Sequence, residues 1–215
     1  MTSKMKTNLF YTREELLDFG FSSVGENVQV STRASVYAIS GTIGSNVRVD
    51  DFCILKGHVE IGSYVHICAY CSVSGVRGAV RLGDFSTLAN RVSIYTGSDD
   101  YSASALSSSV VPQDTVVTMT GDVTLEHAAL VGAHTVILPG VTIGEGASVG
   151  AMCVINKNVA PAEVLVRMPP GVVRRGLRDL GSIRALAGRV REREQHGSEP
   201  MEVQWVSPLL EPWDA

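Results

Sequence analysis

At 215 residues the chain has room for one domain, or one domain with appendages. A formal net charge of −4 gives no reason to expect a nucleic-acid partner. No apolar run is long enough for a bilayer and MTSKMKTNLFYTREELL has no apolar signal core, so no membrane partner and a cytoplasmic localisation are expected.

In chain order, residues 1–11 read as a loose arm. Thr12-Arg13-Glu14-Glu15 has the form of a capping box opening a short helix, which Gly20 ends. From there a six-residue period takes over. Its first run is Val24, Val30, Val36, then Ile43, Val49, Leu55, Ile61, Ile67 and Val73. A second is Leu82, Leu88, Ile94, and a third is Leu125, Val131, Ile137, Ile143, Val149, Ile155. All eighteen positions are Ile, Leu or Val, and many are followed by Gly (Val24-Gly25, Ile43-Gly44, Ile61-Gly62, Leu82-Gly83, Val131-Gly132). The register gains one residue between Val36 and Ile43 and three between Val73 and Leu82.

Six residues supply one short strand and one tight turn, and Gly or Asn tolerates the positive φ of a tight corner. One such strand cannot bury its apolar residue alone, but stacked copies can. Three strands per coil make a triangular prism, and eighteen units make about six coils. The fifth position of each unit also points inward by strand alternation. It reads Val28, Ala34, Ser40, Val47, Cys53, Val59, Val65, Cys71, then Val92, Ala129, Thr135, Val141, Ala147, Cys153. The fold class expected is mainly β, a parallel β-helix with a protruding loop and a C-terminal α-helix. The expected division is arm and helix over 1–20, prism over 21–172, helix and tail over 173–215.

Residues 97–122, GSDDYSASALSSSVVPQDTVVTMTGD, leave one corner and return to start the next coil. A long loop in a regular solenoid usually has a job. After the prism, residues 173–195 carry Leu177, Leu180, Ile183 and Leu186 at helical spacing, with seven of the eighteen basic residues. An amphipathic helix with a solvated basic face is expected. The tail from His196 is either disordered or strapped along a neighbour. Cys53, Cys71 and Cys153 share one inward column and read as core residues of a reducing compartment. No metal is expected: Cys68 has no motif around it, and the histidines form no cluster with metal spacing.

The stretch VGAHTVILPGVTIGEGASVGAMCVINKNV resembles the signature of the left-handed β-helix, hexapeptide-repeat acyltransferases. Asp84-Phe85-Ser86 and RVSIYTGSDDYS are similar to the sugar acetyltransferases of that family, including those acting on nucleotide-linked amino sugars and galactosides. The resemblance covers about residues 21–175. It implies a homotrimer with active sites between adjacent prisms, acetyl-CoA in the intersubunit groove, and a small, sugar-like acceptor. It places the thioester near Gly132, Ala133, Gly150 and Ala151, and makes Lys157 a candidate for the CoA phosphates; independently of it, phosphates need cations, and Lys157, Arg167, Arg174 and Arg175 cluster at that end of the chain. Backbone amides at tight turns suit an oxyanion, and cations suit phosphates.

Three departures from the family pattern carry information. Sugar O-acetyltransferases of this type place a histidine early in the loop, where this chain has Ser98-Asp99-Asp100-Tyr101. An alcohol needs a base to attack, whereas a neutral amine is already nucleophilic. An amino acceptor is therefore expected, with Asp99 or Asp100 as its polar contact; a turn-forming Asp pair is the equal alternative. His134 stands where the family has glycine, as a base or as a plain surface residue. Val166-Arg167-Met168-Pro169-Pro170 replaces a small-residue turn against the cofactor. The first reading is a CoA-dependent acetyltransferase acting on an amino sugar or similar polar amine. Its alternatives are an O-acetyltransferase with a histidine base and a non-catalytic scaffold.

Overall fold

The computed structural model describes residues 9–102, 105–107, 110–168 and 171–195. Three parallel β faces stack into a triangular solenoid. The first face carries Val24, Ile43, Ile61, Leu82, Leu125 and Ile143 in register. The second carries Val30, Val49, Ile67, Leu88, Val131, Val149 and Leu165. The third carries Val36, Leu55, Val73, Ile94, Ile137 and Ile155. Val159, bridged to Ile143, and Leu165 add a partial seventh turn to the six expected. The aliphatic column is buried throughout except for Val36 and Leu165, which pack half-buried against it. At about 1.5–3 kcal/mol per fully buried aliphatic side chain, the core is the sum of its rungs rather than the property of any one coil.

The corners explain how such short strands close. Corner A, between the first and second faces, turns at Asn27, Asn46, Tyr64, Phe85, Ala128 and Gly146, all at positive φ. Corner B, between the second and third, turns at Phe52, Tyr70, Arg91, His134 and Met152. A left-handed residue costs about 1–2 kcal/mol for L-amino acids. The same turn orients its amide onto a neighbouring coil: Asn46 N–H donates to Glu26 O (2.8 Å), Phe85 to Ser63 O (2.9 Å) and His134 to Asn90 O (3.0 Å).

Corner C, between the third and first faces, absorbs the register breaks. The single extra residue is Ala38, skipped between Tyr37 and Ile39 in the pairing with the next coil. Its insertion turns Ser40 outward, against the inward expectation, and sets Gly41 opposite Val59. The three extra residues are Val76, Arg77 and Gly78, since Gly57 pairs with Gly75 and His58 with Ala79.

Thr12 and Glu15 form the reciprocal capping box of α1 (Arg13–Phe19), and Gly20 caps its other end. The arm is not loose over residues 9–11. Phe10 bridges Ser31, Tyr11 N–H donates to Val30 O (2.9 Å), and Leu9 O accepts from Thr32 (2.9 Å). The C-terminal helix begins later than expected. Gly171–Leu177 is a strand antiparallel to Glu163–Met168, and α2 spans Leu180–Gln195 behind Asp179. Leu177 therefore belongs to the hairpin, whose pairing with the last coil overrides helical spacing. The tail from His196 lies outside the described residues.

Gly41 sits at φ +118 with a built Cβ only 2.0 Å from Val59 O, so Gly41→Ala is expected to cost several kcal/mol. At about 2–4 °C per kcal/mol, this lowers the thermal midpoint visibly. Gly188→Ala, in the interior of α2 with nothing within 4 Å of the added Cβ, should instead leave it unchanged or raise it. Calorimetry of both variants checks the pair.

Candidate active site

Helix α2 decides which corners remain open. Leu180 and Ile183 lie over Gly146, where any Cβ would come within 2.4 Å of Leu180. Arg178 donates to Gly146 O (2.9 Å), Arg184 clasps Glu145 through two bonds (2.7 and 2.6 Å), and Arg191 reaches Asp84 (2.6 Å) across the Phe85 ring. Glu194 accepts from Asn46 and Tyr64. Corner A is thus covered, and the helix's basic side is partly ion-paired to the prism rather than solvated. Asp84, Phe85 and Ser86 serve this corner: Asp84 accepts from Ser63 N–H (2.8 Å), Phe85 stacks on Tyr64 (4.4 Å), and Ser86 is buried.

Corner B stays exposed and gathers most of the candidate residues. Gly132-Ala133-His134 and Gly150-Ala151-Met152 are successive turns there. Gly132 N–H donates to Val149 O (2.7 Å) and Gly150 N–H to Leu165 O (2.8 Å). Those two amides hold coils together and are not spare oxyanion donors. His134 and Met152 donate to Asn90 O and Ala133 O. Among these coil-to-coil bonds, only the middle residue of each turn, Ala133 or Ala151, keeps its amide unspent. His134 projects outward at φ +60, between Arg91 and Met152. Thr135, next to it, is buried, donating to Gly150 O (3.0 Å) and accepting from Cys153 N–H (3.2 Å). Arg167 reaches the same corner, donating to Met152 O (3.3 Å).

The other candidates lie elsewhere. Lys157 is exposed near corner C, beside Asn158, which accepts from Thr142 N–H. Arg174 faces Glu163 across the terminal hairpin (3.8 Å). Asp99 and Asp100 lie beyond corner C, with the whole third face between them and His134. One chain therefore does not bring the aspartates to the histidine. The turn at Val166–Met168 is strand, and Pro169 and Pro170 fall outside the described residues.

The protruding loop stands on a firm root. Gly97–Asp99 pairs antiparallel with Thr118–Thr120, setting Asp99 opposite Thr118. Buried Thr96 donates to Ser74 O (2.9 Å) and accepts from Arg77 N–H (3.1 Å). Asp122 closes the root, accepting from Ala79 N–H (2.8 Å) and Arg81 (2.7 Å). Arg81, then the Ala79 amide, hold its carboxyl below the usual carboxylate range. Asp99 is exposed, whereas Asp100 accepts from the Ser102 amide (2.8 Å) and hydroxyl (2.9 Å) in an Asx turn. The turn-forming reading thus describes Asp100, while Asp99 stands exposed on the ribbon.

The cysteine column is as expected: Cys53, Cys71 and Cys153 are buried, free thiols. Cys53 donates to Cys68 O and Cys71 to Ala89 O, each at 3.1 Å. The neighbouring Cys53 sulfur and then burial push the Cys71 thiol up, away from any nucleophilic role. Sequence reasoning missed one constellation. Asp50, His66 and Cys68 bring a carboxylate oxygen, an imidazole nitrogen and a thiol within 4.8 Å of one another. The legible signal was the coil itself: Asp50 follows Val49 as Cys68 follows Ile67, and these two aliphatics are register partners.

The fold is a triangular hexapeptide solenoid with exposed turns at corner B and a rooted loop beyond corner C. The bacterial transferase hexapeptide model (six repeats) matches residues 40–75 and 122–157. The dTDP-4-amino-4,6-dideoxy-D-glucose acyltransferase of Escherichia coli is 37% identical over 159 residues, 72% of this chain and 82% of that one. AntD, an N-acyltransferase from Bacillus cereus solved with dTDP and 3-hydroxybutyryl-CoA, is 37% identical, with a TM-score of 0.78 over 87% of this chain and 100% of that one. A serine-to-alanine variant of AntD, solved with dTDP-4-amino-4,6-dideoxyglucose and coenzyme A, is 38% identical with a TM-score of 0.77 over 86% and 100%. The chain belongs to the hexapeptide-repeat acyltransferases. Among the described residues, no helix is long and apolar enough to cross a membrane.

The loop root should respond to pH with a definite sign. A depressed Asp122 pKa stabilises the root above the unfolded carboxylate value, about 3.9, and that contribution is lost as pH falls through the folded value. Limited proteolysis within residues 97–122 should therefore accelerate on acidification below about pH 4. Asp122→Asn should be cleaved faster already at pH 7 and show a smaller acid response.

Proposed function

We propose that this chain transfers an acyl group from acyl-CoA to the amine of a dTDP-linked 4-amino-4,6-dideoxy sugar. The observation that carries this reading is the loop. Residues 97–122 contain no histidine and present the Asp99 carboxylate at the end of an antiparallel ribbon, which suits an amine and not an alcohol. The relatives act in the same direction: the E. coli protein is an acyltransferase of such a sugar, and AntD was solved with that sugar and coenzyme A. Acetyl-CoA is the donor first expected, and 3-hydroxybutyryl-CoA, bound by AntD, is its rival.

In the proposed reaction the amine nitrogen attacks the thioester carbonyl carbon. The carbonyl oxygen becomes an oxyanion held by the Ala133 or Ala151 amide. As the tetrahedral centre collapses, the C–S bond breaks, the amide forms, and the nitrogen's proton leaves to the departing thiolate. Asp99 orients the amine, and Asp100 shapes the turn beside it. His134 lines the acyl end, and Arg167 with Lys157 and Arg174 meets the CoA phosphates.

This site is completed by a homotrimer in the cytoplasm. One chain leaves Asp99 and His134 on opposite edges of the third face, so the loop of one prism meets corner B of the next. The edge offers apolar area for such contact: Phe52, Ile54, Tyr70, Met152 and Val154 are exposed along it.

Asp99→Asn should lower kcat by about 10²-fold, the cost of a misplaced amine, with little change in the thermal shift produced by acyl-CoA. Combining it with Asp100→Asn and His134→Ala should abolish turnover in a chain that remains trimeric by sedimentation. Full activity in the triple variant removes this site. Transfer to a 4-hydroxy sugar nucleotide in preference to the 4-amino one would favour an O-acyltransferase with His134 as base.

A further inference from the structure

Away from the loop and the Gly132–Met152 turns, the second face carries a group of side chains that acyl transfer does not use. We propose that Asp50, His66 and Cys68 form a binding site for a thiophilic divalent ion, Zn²⁺ being the one that fits, with its fourth position open to solvent.

The placement follows from the strand geometry. His66 and Cys68 flank buried Ile67, so both side chains leave the prism on the same side. Val49 pairs with Ile67, which sets Asp50 beside Cys68 on the adjacent coil. The backbone is fixed there: Asp50 N–H donates to Ile67 O and Cys68 N–H to Leu88 O, each at 2.9 Å.

The spacing is that of a coordination shell. His66 Nε2 lies 2.9 Å from Asp50 Oδ2, and Cys68 Sγ lies 3.8 Å from the same nitrogen. A tetrahedral ion bonded at about 2.0 Å to N and O and 2.3 Å to S has N···O and N···S edges of about 3.3 and 3.5 Å. The observed N···O and N···S distances bracket those edges; the carboxylate oxygen and the sulfur lie within 4.8 Å of each other, and the sulfur stands 3.8 Å from both ring nitrogens, so an ion enters as the Cys68 and His66 side chains rotate toward it.

The donor set selects the metal. One imidazole, one thiolate and one carboxylate suit zinc, whereas calcium and magnesium take oxygen shells. Arg48 supports the arrangement from behind. Its Nε donates to Asp50 Oδ1 (2.7 Å), which leaves Oδ2 to face His66 and fixes the carboxylate's rotation. The arginine's charge opposes a cation, but two anionic ligands, carboxylate and thiolate, outweigh it. His66 remains 42% exposed in its side chain, so the fourth position admits water or a small anion. Beside it, Asp50 also walls a cleft of about 420 Å³ shared with Leu9, Phe10, Ser31, Arg33 and Arg48. A bound ion would tie two successive coils together next to the Phe52–Tyr70 stack.

The test uses the full chain, stripped with a chelator and titrated with Co²⁺. One equivalent should produce the thiolate-to-cobalt charge-transfer band together with the strong visible bands of tetrahedral cobalt. Zn²⁺ should displace them and Mg²⁺ should not. Cys68→Ser should abolish the charge-transfer band, His66→Ala should weaken binding at least tenfold, and Cys153→Ser, a buried thiol elsewhere, should change nothing. Circular dichroism and the metal-free thermal midpoint establish that each variant is folded; Cys68→Ala replaces Cys68→Ser if the serine variant is not. Wild-type stability should rise with Zn²⁺ while that of the Cys68 variant does not. Absence of the cobalt bands in the folded wild type, or their persistence in both the Cys68 and His66 variants, overturns the proposal.

Discussion

Everything in this molecule hangs on the amide hydrogen bonds that pass from one coil to the next. A parallel solenoid pairs each strand with the same strand one coil away, so the strands and the turns at corners A and B must repeat, and extra residues are absorbed at corner C. That demand places left-handed residues in vertical files: Asn27, Asn46, Tyr64, Phe85 and Ala128 in one, Phe52, Tyr70, Arg91, His134 and Met152 in another. At most of these corners the strain is offset by the amide the turn delivers to the neighbouring coil. It also explains why aromatics, a histidine and a methionine occupy positions that glycine or asparagine would fill in an isolated turn.

The same constraint decides where function can reside. Inside the prism, rung after rung of Ile, Leu and Val leaves no space for a ligand. On its faces, amides are already spent. Chemistry is left to the corners and to whatever departs from the coil, and corner A is taken by α2. The extra residues Val76, Arg77 and Gly78 widen corner C just where the chain leaves for its long excursion, and Arg77 packs against Gly97 and Thr96. Insertion and loop are thus one construction: a widened coil that gives the loop a foothold. The exposed turns at corner B and the loop beyond corner C then lie at opposite edges of the third face, the separation on which the proposed intersubunit site rests.

Regular stacking also creates side-chain files on the outside, and these are where unplanned chemistry appears. A residue eighteen positions later in an uninterrupted stretch is a lateral neighbour, at strand spacing. Asp50 with Cys68 is one such pair. Ser40 with His58, linked at 3.0 Å, arises the same way, and Glu60 joins them from the same strand as His58 at 2.9 Å. Polar groups held this close on a rigid lattice have little conformational entropy left to lose, which is the condition for binding.

The sequence by itself determined the period, the two inward columns, the capping box of α1, the place of the loop and the family, because each of these is a local or strictly periodic property. Only the tertiary structure decided the rest. Gly171–Leu177 is a strand because Glu163–Met168 offers it a free edge, although its spacing and arginines favour a helix. Ser40 faces outward because one inserted residue, Ala38, reverses the alternation that follows it. Asp100 is a turn residue and Asp99 is not, a distinction set by the ribbon's pairing rather than by composition. The Gly132 and Gly150 amides, attractive as oxyanion donors in one dimension, are consumed by the coil beneath them. In each case the outcome depends on which strand or coil the backbone pairs with, and that pairing is not written in residue type or spacing.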